Sequence, residues 1–207
     1  MKNIWIGLIE LMKEKKIKIM FLPIICMALL TAIDQFTKFV IKSNFDLYES
    51  REVIKNAFAI TYIRNKGAAW GVMQGQRIFF LILTSIIIIG SFYILYNIIG
   101  NHKYIMLTIT MTVLNAGAIG NMIDRAKYGY VVDFLDFKLI NFPIFNVADI
   151  YVTCSMFALF ILLIFVYKEE DINDIIGKKT VIAEDTDSEA DIEGLEDTEN
   201  SYEKDDL

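Results

Sequence analysis

The chain has 207 residues, 55% of them hydrophobic, with two prolines, two cysteines, one histidine and a mean hydropathy of +0.45. Its net charge of -6 is split: residues 1–167 carry 16 Lys/Arg against 10 Asp/Glu, and residues 168–207 carry 4 Lys against 16 acids. These numbers exclude an ordinary soluble domain, a disulfide scaffold, a zinc-finger module and an imidazole-built metal site, and leave a small polytopic membrane protein with an acidic tail.

Before the first apolar run, Ile4, Leu8 and Leu11 recur at helical spacing beside Trp5. They read either as a short helix lying among lipid headgroups or as a frayed terminus. Four stretches then have the roughly 20 apolar residues needed to cross the hydrocarbon core: Ile19–Ile41, Ile78–Ile99, Tyr104–Ile123 and Ile150–Tyr167. No small-residue cleavage site follows the first, so it reads as a retained span. An even number of spans returns the chain to its starting side. Positive charge is balanced at nine per side. The Lys cluster at 13–18 therefore decides the orientation, with a cytoplasmic N-terminus.

Between the spans, residues 42–77 alternate weakly through Val53, Ile54, Phe58, Ile60 and Tyr62, and Tyr130–Phe137 also reads as a strand. A small sheet lying on one membrane face is expected. Gly100–Lys103 is a short turn on the other face. The organisation is thus an N-terminal segment over 1–18, a four-helix membrane unit over 19–167, and a disordered acidic tail over 168–207.

Ionisable groups in a span are costly and read as functional by default. Asp34 and Lys38 lie four apart on one helix face and can pair, either snorkelling at the span end or supporting a polar network. Asn121, Asp124 and Arg125 follow the small residues Gly117, Ala118 and Gly120, which permit close helix approach. Asp133 and Asp149 leave and enter the membrane on the same face. Asn146 can cap the last helix. Two close carboxylates share one proton, which splits acid and base roles as in an aspartic peptidase. On the residues alone, Asp136 is an equally acidic neighbour. His102 lies on the opposite face. Cys26 and Cys154 read as buried small hydrophobes, and Trp5 and Trp70 as interfacial aromatics. Two non-peptidase readings remain open on this evidence: an ion-coupled transporter using Asp34, Asp124 and Asp149, and a membrane adaptor acting through its tail.

Five segments, in order, resemble the lipoprotein signal peptidase (signal peptidase II) family: Asp34-Gln-Phe-Thr-Lys38, Asn65-Lys-Gly-Ala-Ala-Trp-Gly71, Gly117-Ala-Ile-Gly-Asn-Met-Ile-Asp-Arg125, Val131-Val-Asp-Phe134 and Phe145-Asn-Val-Ala-Asp149. Ala116-Gly117 stands where the family usually has two glycines, and Trp70 where Phe is commoner. The resemblance implies four transmembrane helices with both termini cytoplasmic and a small extracytoplasmic sheet. It implies a metal-independent, cofactor-free aspartic endopeptidase of the bacterial plasma membrane, cutting prolipoproteins on the amino side of a diacylglyceryl cysteine. By motif position, the catalytic pair falls on Asp133 and Asp149. Asp34, Lys38, Asn65, Gly67, Asn121, Asp124, Arg125 and Asn146 match support or substrate-binding positions. The expected partners are a prolipoprotein substrate and membrane lipids, without nucleic acid, for a monomeric chain. Trp70 and its neighbours over 62–72 are expected to form a lid.

Overall fold

A computed structural model describes residues 2–67 and 72–177, with side chains from Glu14 onward. In chain order its elements are α1 (Lys2–Asn44), β1 (Ser50–Ile54), β2 (Phe58–Asn65), α2 (Arg77–Ile98), α3 (Ile105–Tyr128), β3 (Val131–Asp136), α4 (Val147–Ile161) and α5 (Glu169–Ile175). Four stretches are long and apolar enough to cross a membrane: Glu14–Asn44, Arg77–Ile98, His102–Tyr128 and Val147–Val166, the last continuing α4 through a π turn. Exposed Phe21, Leu22, Phe157 and Phe165 suit these helices to lipid rather than water. The chain is a multi-pass membrane protein.

The spans fall where apolar length places them, but their ends differ from the sequence expectation. No separate helix precedes the first span, because α1 runs unbroken from Lys2 and carries Pro23 inside it. α3 extends past Ile123 to Tyr128, since its terminal charges lie within the helix and find partners there. Gly129, in left-handed geometry at φ 76°, ends it and donates its N–H to Arg125 O at 3.1 Å. α4 starts at Val147 because Asn146 caps it.

The three strands form one antiparallel sheet in the order β1-β2-β3. Ile63 faces Asp133 and Asn65 faces Val131. Asn65 and Asp133 are thus diagonal neighbours on one face of the sheet. Tyr62, Val132 and Phe134 on the sheet pack with Ile41 near the end of α1. The sheet therefore sits on the helix ends that carry the polar motifs. Phe145 continues the layer, its carbonyl accepting from Phe134 and Leu135 N–H at 2.9 and 2.8 Å. The four lid positions 68–71, Trp70 among them, lie outside the described residues, as do residues 178–207.

The acidic segment expected to be disordered from Lys168 instead begins with α5, which packs against α2. Four partners explain its order. Tyr104 Oη donates toward Asp171 Oδ1 and Asp174 Oδ2, both at 3.1 Å. Lys103 pairs with Asp171 and holds that carboxyl below its usual range. Asn97 Nδ2 and Tyr93 Oη donate to the carbonyls of Ile175 and Ile176 at 3.1 Å each. Counting acids against apolar residues misses these sequence-distant partners. Tyr104→Phe removes the shared donor and is expected to cost about 1–2 kcal/mol, seen as a lower thermal unfolding midpoint in detergent with the helix content unchanged.

Candidate active site

The site is built on a buried ammonium. Lys38 is 2% exposed, so it does not snorkel as its place near the span end suggests. Its Nζ meets three acceptors, matching its three N–H groups: Asp34 Oδ2 at 2.9 Å, Asp124 Oδ2 at 3.2 Å and Asn121 Oδ1 at 3.0 Å. The two carboxylates are buried as well. Each also accepts from a backbone N–H. Asp34 Oδ1 accepts from Ala148 N–H at 2.9 Å, in the first turn of α4, where the helix dipole favours an anion. Asp124 Oδ2 accepts from Val132 N–H at 3.1 Å, tying the end of α3 to β3. One cation thus joins α1, α3, β3 and α4.

Gln35 belongs to this network although its motif neighbours overshadow it in the sequence. Its Nε2 lies within reach of Asp34 Oδ2 (3.2 Å), Asp124 Oδ1 (3.2 Å) and Gly120 O (3.1 Å). The signal was an amide interrupting an apolar run. Small residues make room here. A Cβ on Gly120 would sit 2.5 Å from Asp34 Oδ2, and one on Gly117 2.5 Å from Ala148 O. Any side chain at either position would push α1 or α4 away from α3.

Asn121 passes the network outward. Its Oδ1 accepts from Lys38 and from Asn146 Nδ2 (3.2 Å), and its Nδ2 donates to Asp149 Oδ1 at 2.7 Å. Asn146, fully buried, donates through Nδ2 to Asp133 Oδ1 at 2.6 Å. Asn65 Nδ2 donates to Asp133 Oδ2 at 2.9 Å. Asn146 also caps α4: its Oδ1 accepts from Asp149 N–H at 3.0 Å, and its own N–H donates to Asp149 Oδ2 at 3.1 Å. Asp149 therefore completes a reciprocal cap, a structural role that an argument from a single cap residue overlooks. Both oxygens of both acids are held by neutral amides, and neither carboxylate meets a cation directly among the described residues.

Asp133 is buried, whereas Asp149 stays partly open. Burial, followed by repulsion from Asp149, pushes the Asp133 carboxyl up to about 7. A cavity of about 530 Å³ opens onto the pair, lined by Asp133, Asp149, Asn65, Gly67 and Arg125 among apolar side chains of Val131 and Phe142–Phe145. Arg125 Nη2 donates to Gly67 O at 3.1 Å, and its guanidinium lies 4.7 Å from the Phe80 ring centre. Gly67 N–H in turn donates to Asn65 Oδ1 at 2.9 Å. All ten site residues singled out in the sequence thus fall in one connected set. Asp136 does not: it lies opposite Ala59 at the far end of β3 and accepts from Thr61 Oγ1 at 2.8 Å. Cys154, expected to be buried, is exposed and lines the cavity, while Cys26 is half-buried. α4 shows the Cys154 face to the opening rather than to a neighbouring helix.

This arrangement has close relatives. The family model for signal peptidase (SPase) II matches residues 26–165. The lipoprotein signal peptidase of Enterococcus faecalis is 43% identical over 138 residues, which is 66% of this chain and 84% of that protein. That of Syntrophus aciditrophicus is 40% identical over 162 residues, covering 76% and 98%. A bacterial membrane enzyme solved by the in meso method at 1.9 Å resolution superposes with a TM-score of 0.62 at 36% identity, covering 70% of this chain and 94% of that one.

Replacing Lys38 by Met leaves Asp34 and Asp124 buried without their cation. The expected loss is about 3–5 kcal/mol of stability, read as a fall in unfolding midpoint far larger than for exposed Lys18→Met.

Proposed function

The chain belongs to the signal peptidase II family and removes signal peptides from prolipoproteins, and we propose that it does so with Asp133 and Asp149 as an aspartic catalytic pair. The supporting observation is the amide framework that sets two carboxylates at the mouth of one cavity, where burial and mutual repulsion raise the Asp133 carboxyl and favour one proton on the pair. A water held by the pair loses its proton to the ionised carboxylate as its oxygen attacks the scissile carbonyl carbon. The protonated carboxyl donates to the carbonyl oxygen, so the tetrahedral intermediate forms without a free oxyanion. Return of that proton and transfer of the other to the leaving nitrogen break the C–N bond and restore the pair. The titration belongs to the two acids jointly.

The remaining residues position these groups. Asn65 and Asn146 fix Asp133, and Asn121 with the α4 cap fixes Asp149. Lys38, Asp34 and Asp124 anchor Asn121 and the start of α4. Arg125 and Gly67 shape the cavity wall where an extended peptide enters. The cut bond precedes a diacylglyceryl cysteine, whose acyl chains lie against the apolar helix faces beside the cavity. The site faces the extracytoplasmic side, with both termini cytoplasmic, in the bacterial plasma membrane, and the chain works as a monomer.

Asp133→Asn and Asp149→Asn are each expected to lower cleavage of a diacylglyceryl prolipoprotein peptide by about 10³-fold or more. The assay uses purified protein in detergent; full cleavage by either variant would sink the pairing. The Asp133 carboxyl is raised, so its proton is present below about pH 7 and lost above it. Accordingly, kcat/KM is expected to fall about tenfold per pH unit on the alkaline side of that value. A flat profile through pH 9 would remove the shared proton from the mechanism.

A further inference from the structure

At the same end of the bundle as the acid pair lies a second cluster, outside the hydrogen-bond network of the site. Lys42, in the last turn of α1, places Nζ 3.5 Å from the ring centre of Tyr128. Lys127 lies 5.1 Å from the same ring. Tyr128 stacks on Tyr130 at 5.7 Å and 24°. Arg64 lies 5.1 Å from the Tyr130 ring, and its Nε donates to Tyr62 Oη at 3.1 Å. Arg77, the first residue of α2, closes the group, with Nη2 donating to Ala126 O at 2.5 Å.

Three cations therefore lie over two stacked tyrosines with Arg77 held nearby on Ala126 O, and none of the four has a carboxylate partner among the described residues. Of the acids near in the chain, Asp124 is engaged with Lys38, Glu49 with Arg51 and Glu52 with Lys138, and Asp46, four residues after Lys42, makes no ion pair with it. A ring face attracts a cation but does not neutralise it. Lys127, Arg64 and Arg77 are exposed and Lys42 is half-buried, so the charge is open to a ligand. Lys42, Arg77 and Lys127 stand at the ends of three membrane-spanning helices, which is the depth of phospholipid headgroups.

We propose that this cluster binds the phosphodiester headgroup of an anionic phospholipid, seating one lipid beside the cavity. The Lys ammonium groups and the Arg64 fork supply donors to phosphate oxygens. The tyrosine pair keeps these cations together in the absence of the anion. The assignment rests on the membrane-spanning fold and not on the catalytic roles of Asp133 and Asp149.

Native mass spectrometry of the full chain in detergent, titrated with phosphatidylglycerol or phosphatidylcholine, tests it. Phosphatidylglycerol is expected to be retained preferentially. The triple variant Lys42→Gln/Arg64→Gln/Lys127→Gln is expected to lose about 10²-fold in that retention, at roughly fivefold per cation. Lys42→Arg/Lys127→Arg should keep it, which separates lost charge from lost fold. Lys15→Gln/Lys16→Gln/Lys18→Gln, removing the same charge at the far end of α1, should leave it unchanged. Equal retention of the two lipids, or an equal loss in the far-end variant, would overturn the proposal. So would glycerol 3-phosphate or an acidic peptide binding as tightly as the lipid, since either assigns the cluster to another anion.

Discussion

The structure depends on one buried cation. Lys38 is placed where an uncompensated charge would be expelled, and it stays because two carboxylates and an amide oxygen meet its three N–H groups. Those acceptors come from α1 and α3, and the two carboxylates also hold the first turn of α4, through Asp34 Oδ1, and the first half of β3, through Asp124 Oδ2. Breaking such a cluster by removing one partner is far costlier than its net contribution suggests. The network therefore specifies the arrangement of four elements more than it adds stability.

What it specifies is the separation of charge. Within the site's hydrogen-bond network, positive charge is held by Lys38, one amide away from Asp149, and by Arg125, which bonds Gly67 and lies over Phe80. Asp133 and Asp149 receive only neutral donors. A direct ion pair would keep both acids ionised and leave no proton to donate to a carbonyl. Amide donors orient the oxygens while burial and mutual repulsion retain a proton. The close approach of α3 to α1 and α4 at Gly117 and Gly120 is what brings these groups within one amide of each other.

Much of this was legible in the sequence, for physical reasons. The four spans follow from apolar length, because a backbone in lipid must bond to itself. The motif residues converge because acids and amides in apolar surroundings have to find one another, and the family resemblance selects Asp133 over Asp136 where charge alone did not. The span ends were less legible. Asp124 and Arg125 look like a charged stop, yet α3 continues through them once Lys38 and Gly67 satisfy their side chains. Gln35 was overshadowed by the charges beside it. Asp149 hid a second duty as half of a reciprocal cap. The acidic composition of α5 reads as solvated tail because its partners, among them Lys103, Tyr104 and Asn97, lie some 70 residues away.

The proposed mechanism turns on one proton shared between Asp133 and Asp149, and infrared spectroscopy tests that sharing without substrate. The carbonyl stretch of a protonated carboxylic acid should be present at neutral pH and titrate away near pH 7. It should vanish at neutral pH in Asp133→Asn, and its midpoint should fall in Asp149→Asn, where the repelling charge is gone. A spectrum with no protonated carboxyl at neutral pH, or a midpoint indifferent to Asp149→Asn, would contradict a shared proton and the division of acid and base roles that follows from it.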